Sequence, residues 1–443
     1  MKNRKSLYIT ALLLFCFCLT PLTAQAAEYD IHYGRSTLAG MPNAAVLLYA
    51  YDAIAEGVEE SAAEISIYDG THALSQDDLA VVMEAYTGDH AEHFWMGSQY
   101  YYGYNSKTVL SIQPTYLLSG NALLSARADF EEAIEEILSG LRADWSDFEK
   151  ELYLHDALAE KITYTFGTNA HNAYGALVEG QAVCEGYAEA FQVLLHRAGI
   201  RSYIVTGWSR GEGHAWNLVE IDGEYYYVDL TWNDQGEELY HAYFNITEEI
   251  LCEDHVIGGT IGLPECSAED ANYFTVMGGA VSAFNAAEIG GLLMENGLTV
   301  HLYAAHDLTG EELTSAYAAN IRQVAAAAGI RGGFMYGYSS LGREVVLRII
   351  PTGLSGEIRK IREDSLTITV RGLFDATVTA DLYAAVYDED GRMIGMEKVE
   401  GQTLTTGGSS YTVGFDGDAD TVKAFAVDTA GVPFSAAVEL NIR

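Results

Sequence analysis

Three side chains of this 443-residue chain, Cys184, His214 and Asp229, could together perform nucleophilic chemistry. A thiol attacks well only as a thiolate, so it needs a neighbouring base, and the base needs a third group that fixes its orientation. Taken singly, a cysteine at the start of a helix is usually a small buried hydrophobe. Because each of the three stands in a local sequence that suits its role, we predict a catalytic triad.

The residues after Cys184 predict a helix. Apolar side chains recur with a period of 3.6 residues from Tyr187 to Ala198, and Gly199 is a typical end signal. Cys184 is therefore expected at or just before the first helical turn, where unpaired N–H groups and the helix dipole favour a thiolate. The backbone N–H of Cys184 is the first candidate donor to a developing oxyanion, and Gln181 is a candidate supporting group.

The segment that carries His214 and Asp229 predicts a β-hairpin. Two strand-like runs flank Asp222-Gly223, a dipeptide that favours a two-residue type I′ turn. In that register Trp216 lies opposite Asp229, and His214 shares their face of the sheet. His214 and Asp229 become diagonal neighbours, roughly 7–8 Å apart between backbone positions. Trp216 is predicted to shield the pair from water, although simple core packing explains an aromatic residue there equally well.

Three motifs resemble those of the bacterial transglutaminase-like superfamily, whose core is papain-like. They are the stretch from Asn172 to Phe191, the Gly-His-Ala-Trp-Asn run and the Tyr-Val-Asp-Leu-Thr-Trp-Asn-Asp run. The resemblance covers roughly Ala143 to Tyr273 and implies that Cys184, His214 and Asp229 are the catalytic residues. It implies an acyl-transfer fold, but it does not distinguish water from an amine as the acceptor.

The first residues predict a secretory signal peptide, residues 1–26. Basic residues precede an apolar run from Leu7 to Leu19, and Ala24-Gln-Ala26 is a suitable cleavage site. The alternative is a membrane anchor, but about 13 residues is short against the ~20 that a spanning helix needs. We therefore expect a secreted or cell-surface protein with no membrane insertion after cleavage.

The charge disfavours nucleic acid as a partner. The formal net charge is −39, and removal of the predicted signal peptide takes away three positive charges and no acids. Polyanions such as nucleic acid and anionic lipid would find few basic groups to pair with. A peptide or protein substrate is the expected partner.

The remaining cysteines and histidines do not predict a cofactor or a metal. No Cys/His spacing resembles a zinc site, so His90 and His93 are interpreted as surface residues, and residues 416–420 as a turn. After signal cleavage three cysteines remain, an odd number in an oxidising compartment. A disulfide between Cys252 and Cys266 would leave Cys184 free, but both could equally be reduced.

The length and the patterning predict an α+β protein of several parts: residues 27–140 as an N-terminal α+β domain, 141–285 as a transglutaminase-like catalytic domain, 286–356 as an α+β linker domain and 357–443 as an immunoglobulin-like β-sandwich. The sandwich is a possible contact for cell-wall or surface proteins. Tyr102 to Thr115 resembles Tyr336 to Thr352, with a longer turn expected in the second copy. Duplication and chance both explain that similarity.

The predicted function is cysteine-dependent acyl transfer on peptide or carboxamide bonds through a thioester. Transamidation needs an apolar channel that restrains water. The loop from Trp208 to Gly213 before His214 is short and polar. Hydrolysis by a peptidase or amidase is therefore favoured over protein cross-linking. A third possibility is a surface adhesion protein that binds peptide without catalysis.

Overall fold

The computed structural model describes residues 30–236, 238–305, 307–330, 333–351, 354–362, 365–372, 378–404, 408–415, 418–427 and 438–441. The predicted signal peptide lies outside the described residues, as does part of the predicted turn at 416–420. Helices and strands are mixed along the chain, as expected for an α+β protein. Among the described residues, no helix combines the length and the apolar character needed to cross a bilayer.

The first part of the chain packs helices around a small antiparallel sheet of order β1–β3–β2. Ser75 begins α3 with a capping box, in which its hydroxyl and the Asp78 carboxylate satisfy each other's backbone N–H groups. The elements are α1 (Tyr33–Ala39), α2 (Ala44–Glu59), β1 (Ile65–Ser66), α3 (Gln76–Asp89), β2 (Met96–Tyr104), β3 (Val109–Tyr116) and α4 (Gly120–Leu138).

The central part sets a long buried helix, α6, against an antiparallel sheet of order β8–β7–β6–β9. The Asn217 side chain in β7 donates to the carbonyl of Ala188 in α6 at 2.9 Å, which ties the sheet to the helix. A π-helical turn spans Gly175–Glu179. The elements are α5 (Asp147–Lys161), β4 (Thr163–Tyr164), β5 (Gln181–Ala182), α6 (Cys184–Arg197), β6 (Ser202–Ser209), β7 (Glu212–Ile221), β8 (Glu224–Val228), α7 (Leu230–Asn233), α8 (Glu248–Leu251), β9 (His255–Ile257) and α9 (Tyr273–Met277).

A second α+β arrangement follows, with a sheet of order β10–β11–β13–β12. Its apolar face packs against helices and shares one hydrophobic core with the sheets that come after it. The elements are β10 (Ala280–Val281), α10 (Ala286–Glu295), β11 (Thr299–Ala304), α11 (Gly310–Ala319), α12 (Ile321–Ala327), β12 (Phe334–Leu341) and β13 (Glu344–Pro351).

The C-terminal part contains two antiparallel sheets of orders β14–β15–β18 and β17–β16–β19–β20. Alternate side chains of β15 and β16, such as Ile368 and Ala384, are fully buried in the common core. The immunoglobulin type predicted for this part remains a prediction. The elements are β14 (Leu354–Arg362), β15 (Ser365–Gly372), β16 (Val378–Tyr387), β17 (Met393–Leu404), β18 (Ser409–Gly414), β19 (Thr421–Val427) and β20 (Val438–Asn441).

The β7–β8 hairpin has the predicted register. Asp222 and Gly223 both have positive φ, 53° and 86°, as a type I′ turn requires, and Ile221 pairs with Glu224. The ladder continues to the pair of Asn217 with Val228, so Asp229 follows directly after the last paired residue.

The two segments with similar sequences also have the same topology. In each, a strand (β1 or β11) precedes helical structure and a hairpin, and it pairs antiparallel with the second strand of that hairpin. The hairpins share a register, because Tyr102 pairs with Ile112 and Tyr336 pairs with Ile349. This topology favours duplication over chance. The expected longer turn in the second copy is wrong, because the extra residues lengthen the strands and Gly342-Arg343 alone connects them.

One carboxyl group is deeply buried behind the central sheet. Glu151 in α5 accepts a hydrogen bond from the side chain of Asn245 at 2.7 Å. Among the described residues, its other oxygen and the Asn245 side-chain oxygen have no partner. Burial raises the pKa of Glu151 to about 8. A carboxyl group whose pKa is higher in the folded than in the unfolded protein destabilises the fold as pH rises. The loss of stability begins near the unfolded pKa and is complete near the folded pKa.

We therefore expect Glu151→Gln to stabilise the protein relative to wild type at pH 8 but not at pH 4.5. The buried carboxyl costs about 3 kcal/mol by pH 7, given 1.4 kcal/mol for each pKa unit, and a glutamine avoids this cost. The measurement is the difference in Tm between variant and wild type at the two pH values. Glu160→Gln, at the exposed end of the same helix, is the control. An equal Tm difference at both pH values would contradict this account of Glu151.

Candidate functional site

Cys184 is the first residue of α6, and several contacts fix the chain that leads into it. Val183 precedes it in extended conformation and donates its N–H to the carbonyl of Ala170 at 2.9 Å. The short parallel pair of β4 with β5 holds the preceding residues against the end of α5. The helix start packs closely on the chain before it, because a Cβ at Gly186 would lie 2.5 Å from the Ala170 oxygen. The partly buried thiol is thus presented at a helix N-terminus, as predicted.

His214 and Asp229 form a short hydrogen bond, with 2.6 Å between His214 Nε2 and Asp229 Oδ2. The hairpin register brings them together on one face, as the sequence predicts. The Asp229 side chain is fully buried and that of His214 is 8% exposed. The Cys184 side chain is close enough to help raise the pKa of His214. Since Nε2 is bonded to Asp229, Nδ1 is the ring nitrogen that is left to exchange a proton with the thiol.

His214 and Asp229 each favour the charged form of the other. Burial disfavours charge on His214, but the charge of Asp229 and the hydrogen bonds to Asp229 and Cys184 outweigh it, so the pKa of His214 is raised. Burial likewise disfavours charge on Asp229, yet His214 and His255 hold the pKa of its carboxyl below the ordinary value. The arrangement therefore favours an ionised aspartate beside an imidazole that readily holds a proton.

His255 is a third side chain that joins the pair of His214 and Asp229, and no motif in the sequence predicts it. Its Nε2 lies 3.1 Å from the same Asp229 Oδ2, and its Nδ1 lies 2.6 Å from Asp254 Oδ1. Asp254 in turn accepts from the Tyr243 hydroxyl at 2.6 Å. β9 brings His255 into place by pairing with β6, a contact that no local sequence pattern announces.

Cys184 and His214 line a cavity of about 780 Å³. Trp232 forms part of its wall, with the Arg210 guanidinium 4.2 Å from the indole centroid. The wall also includes Leu341, from the distant strand β12. The full lining is Ala159, Glu160, Ile162, Thr163, Tyr164, Cys184, Ser209, Arg210, Glu212, Gly213, His214, Thr231, Trp232, Asp234, Gln235, Gly236 and Leu341.

The two predicted support residues differ in position. Trp216 is buried, its ring is stacked on His214 with centroids 5.8 Å apart, and it also meets His255 edge-on at 5.1 Å. It therefore contacts both imidazoles, and its role in shielding the pair from water remains a prediction. Gln181 is exposed and is not among the described residues that line the cavity. Its pairing with Thr163 in the β4–β5 ladder keeps it outside.

All three cysteines described by the structure are free, so the suggested pairing of Cys252 with Cys266 is wrong. Cys252 is exposed at the end of α8, whereas Cys266 is buried and its thiol donates to the Pro264 carbonyl at 3.7 Å. Burial raises the pKa of Cys266 to about 12, and burial together with Glu248 raises the pKa of Cys252.

The interpretation of His90 and His93 as surface residues is also wrong. α3 ends at Asp89, and the chain then turns inward rather than continuing as an exposed helix. His93 is buried and its Nδ1 bonds to the Tyr86 hydroxyl at 2.7 Å. The two imidazoles stack on each other with centroids 5.0 Å apart.

Three groups in the described part of the chain place histidine and carboxylate atoms within 4.8 Å of one another, as a metal ion would require. They are His214–Asp229–His255, His155–Asp156–His241 and His32–His90–Glu92. In the first two groups one carboxylate bridges both imidazoles, for example Asp156 at 2.8 and 2.9 Å. In the third, His90 Nδ1 bonds to Glu92 Oε1 at 2.7 Å, and His32 contacts the His90 ring with centroids 4.6 Å apart.

The part of the chain that contains the candidate site is similar to known proteins. Residues 135–230, which contain Cys184, His214 and Asp229, match the family model of the transglutaminase-like superfamily. Members of this superfamily are cysteine peptidases or acyltransferases. This segment of the chain is therefore similar to the transglutaminase-like superfamily.

Among curated relatives are the kyphoscoliosis peptidases of Homo sapiens and Mus musculus. Each is 31% identical over 93 residues, and each alignment covers 16% of this chain and 14% of the relative. The chain therefore spans about a seventh of the length of these relatives. A solved crystal structure of a TGase matches at 14% identity, covering 38% of this chain and 50% of that chain with a TM-score of 0.23.

We expect His255 to set how readily Cys184 reacts, because it shares the carboxylate that orients His214. His255→Leu removes the N–H donor, whereas His255→Gln keeps one at the end of its side chain. Hydrogen bonds to charged groups contribute about 1.5–3 kcal/mol, so the leucine variant should slow alkylation of Cys184 by iodoacetamide roughly tenfold. The glutamine variant should retain most of the rate. If both variants slow the reaction equally while both remain folded, His255 has only a packing role.

Proposed function

We propose that this protein is a cysteine-dependent acyl-transfer enzyme acting on peptide or carboxamide bonds. Cys184 is the nucleophile, His214 the general base and acid, and Asp229 the group that orients the imidazole. The observation that carries the proposal is that Cys184 and His214 line the same cavity of about 780 Å³ while His214 is hydrogen bonded to the buried Asp229. The name of the kyphoscoliosis peptidases supports the same class of reaction.

The chemistry follows the positions of the atoms. The Cys184 sulfur attacks the substrate carbonyl carbon while His214 Nδ1 takes the thiol proton. The carbonyl oxygen becomes an oxyanion beside the helix N-terminus, where the Cys184 N–H can donate to it. When the tetrahedral intermediate collapses, the C–N bond breaks and His214 returns the proton to the leaving amine. The product is a thioester on Cys184, which a second acceptor then attacks to regenerate the thiol.

Hydrolysis is the favoured outcome for that thioester. An amine acceptor competes with water only where the site restrains water, for example in an apolar tunnel. Much of the cavity wall is polar and includes Glu160, Glu212 and Asp234. Trp232 is covered by Arg210 and so presents a cation beside its apolar surface. A transamidating cross-linker is the alternative within the same chemistry.

A peptide-binding or adhesion protein without catalysis is the alternative from another class. The intact set of three side chains and their short contacts argue against it. For its location we propose secretion or attachment at the cell surface, on the strength of residues 1–26. The C-terminal part is then a candidate for contact with cell-wall or surface proteins.

Cys184 should react faster with alkylating reagents than the other two cysteines do. At neutral pH we expect iodoacetamide to modify Cys184 at least tenfold faster than Cys252 or Cys266, because His214 assists only Cys184. Peptide mapping by mass spectrometry measures the three rates.

Cys184→Ala and His214→Ala should abolish turnover of peptides, and Asp229→Asn should lower it by several orders of magnitude, without loss of the fold. Turnover that survives in Cys184→Ala would exclude this mechanism.

The preference for water is tested by offering both acceptors at once. A glutamine-containing peptide and a labelled primary amine are incubated with the protein, and free acid and amine adduct are quantified. We expect the acid to exceed the adduct, because the polar cavity admits water. Efficient amine incorporation with little acid would establish the cross-linker instead.

A further inference from the structure

A second cavity, of about 410 Å³, adjoins the candidate active site. Gln235 and Leu341 belong to the linings of both cavities, so the two lie next to each other. The second is formed by the β12–β13 hairpin on one side and the segment around Glu238 and Tyr240 on the other. The end of β12 therefore lies beside the cavity that contains Cys184.

β12 is the outermost strand of its sheet. It pairs with β13 from Phe334 to Leu341, and among the described residues no strand pairs with its other edge. The unpaired N–H and C=O groups of such an edge are a template for an added extended chain. Since Leu341 is the last residue of β12 and also lines the first cavity, a chain paired along this edge is led towards the thiol.

Five successive residues of β12, Gly337 to Leu341, line the second cavity together with Val346 and Arg348 of β13. A Cβ added at Gly337 would meet no atom within 4 Å. There is therefore open space at Gly337 that a further chain could enter.

The hairpin is fixed against the central part of the chain. Glu344, which follows its turn, is fully buried, accepts the backbone N–H of His241 at 2.6 Å and pairs with His301 Nδ1 at 2.6 Å. Arg343 in the turn pairs with Glu253. These contacts hold the open edge of β12 at a constant position relative to the site.

We propose that the β12 edge is the substrate-recognition site, and that the substrate is an extended, unfolded peptide segment that pairs with β12 and enters the active-site cavity at Leu341. The proposal rests on the proposed function, whose substrate class it names. Gly337 to Leu341 are five strand residues spaced about 3.3 Å apart, so a chain that pairs along them contributes about five residues. Peptides longer than this should bind more tightly than single amides or dipeptides.

The test is protection of Cys184 against iodoacetamide by unreactive peptides. Two cysteine-free pools of mixed sequence, dipeptides and octapeptides, are titrated into wild type, Gly337→Phe and the control Gly414→Phe. Gly414 lies on the distant strand β18, where an added Cβ also meets no atom within 4 Å. The alkylation rate without peptide shows whether each variant keeps its site.

We expect octapeptides to protect wild type and Gly414→Phe at concentrations at least tenfold lower than dipeptides. In Gly337→Phe this advantage should disappear while the alkylation rate without peptide is unchanged. Equal protection by both pools in wild type, or undiminished octapeptide protection in Gly337→Phe, would overturn the proposal. Failure of the proposed function gives a different signal, namely a Cys184 that is no more reactive than Cys252 in the absence of peptide.

Discussion

The carboxylate of Asp229 is the charge around which the candidate site is organised. It is fully buried, and a buried ion costs several kcal/mol unless its hydrogen-bonding capacity is met. One oxygen accepts from the backbone N–H of Trp232 at 3.0 Å, and the other is shared by His214 and His255. The requirement to satisfy this one anion places α7, β7 and β9 relative to one another.

The same requirement explains why the site extends beyond three residues. Trp232, whose backbone N–H donates to the Asp229 carboxylate, also forms part of the wall of the cavity, so the carboxylate fixes the start of the helix that carries this wall residue. His255 links Asp229 to Asp254 and through it to Tyr243, against which the Gly342 turn of the β12–β13 hairpin packs. The proposed recognition strand and the proposed catalytic group are thus connected by a continuous series of packed side chains.

Local patterns in the sequence predicted the helices and turns whose conformation is determined by residues close to them in the chain. The period of apolar residues after Cys184 predicted α6, and Asp222-Gly223 predicted the register that aligns His214 with Asp229. The role of His255 was not predicted, because His255 reaches Asp229 through the pairing of β9 with β6, and that pairing depends on the whole sheet. Leu341 reaches the cavity through the docking of a distant hairpin, for which no spacing in the sequence gives a signal.

The errors in the sequence analysis have the same origin. Counting cysteines suggested that Cys252 and Cys266 pair, but one lies at the surface and the other in the core. His90 and His93 were judged by their spacing, whereas the end of α3 at Asp89 turns both inward. In each case burial, a property of the assembled fold, decided the outcome.

The most direct test of the central claim is detection of the thioester itself. A peptide substrate is mixed with the protein, the reaction is quenched in acid within its first turnovers, and the protein is digested and analysed by mass spectrometry. The account predicts the mass of the acyl group on the peptide that contains Cys184, removable by hydroxylamine and absent when the substrate is omitted. Substrate turnover with no acyl group on Cys184, or with the acyl group on another residue, would contradict it.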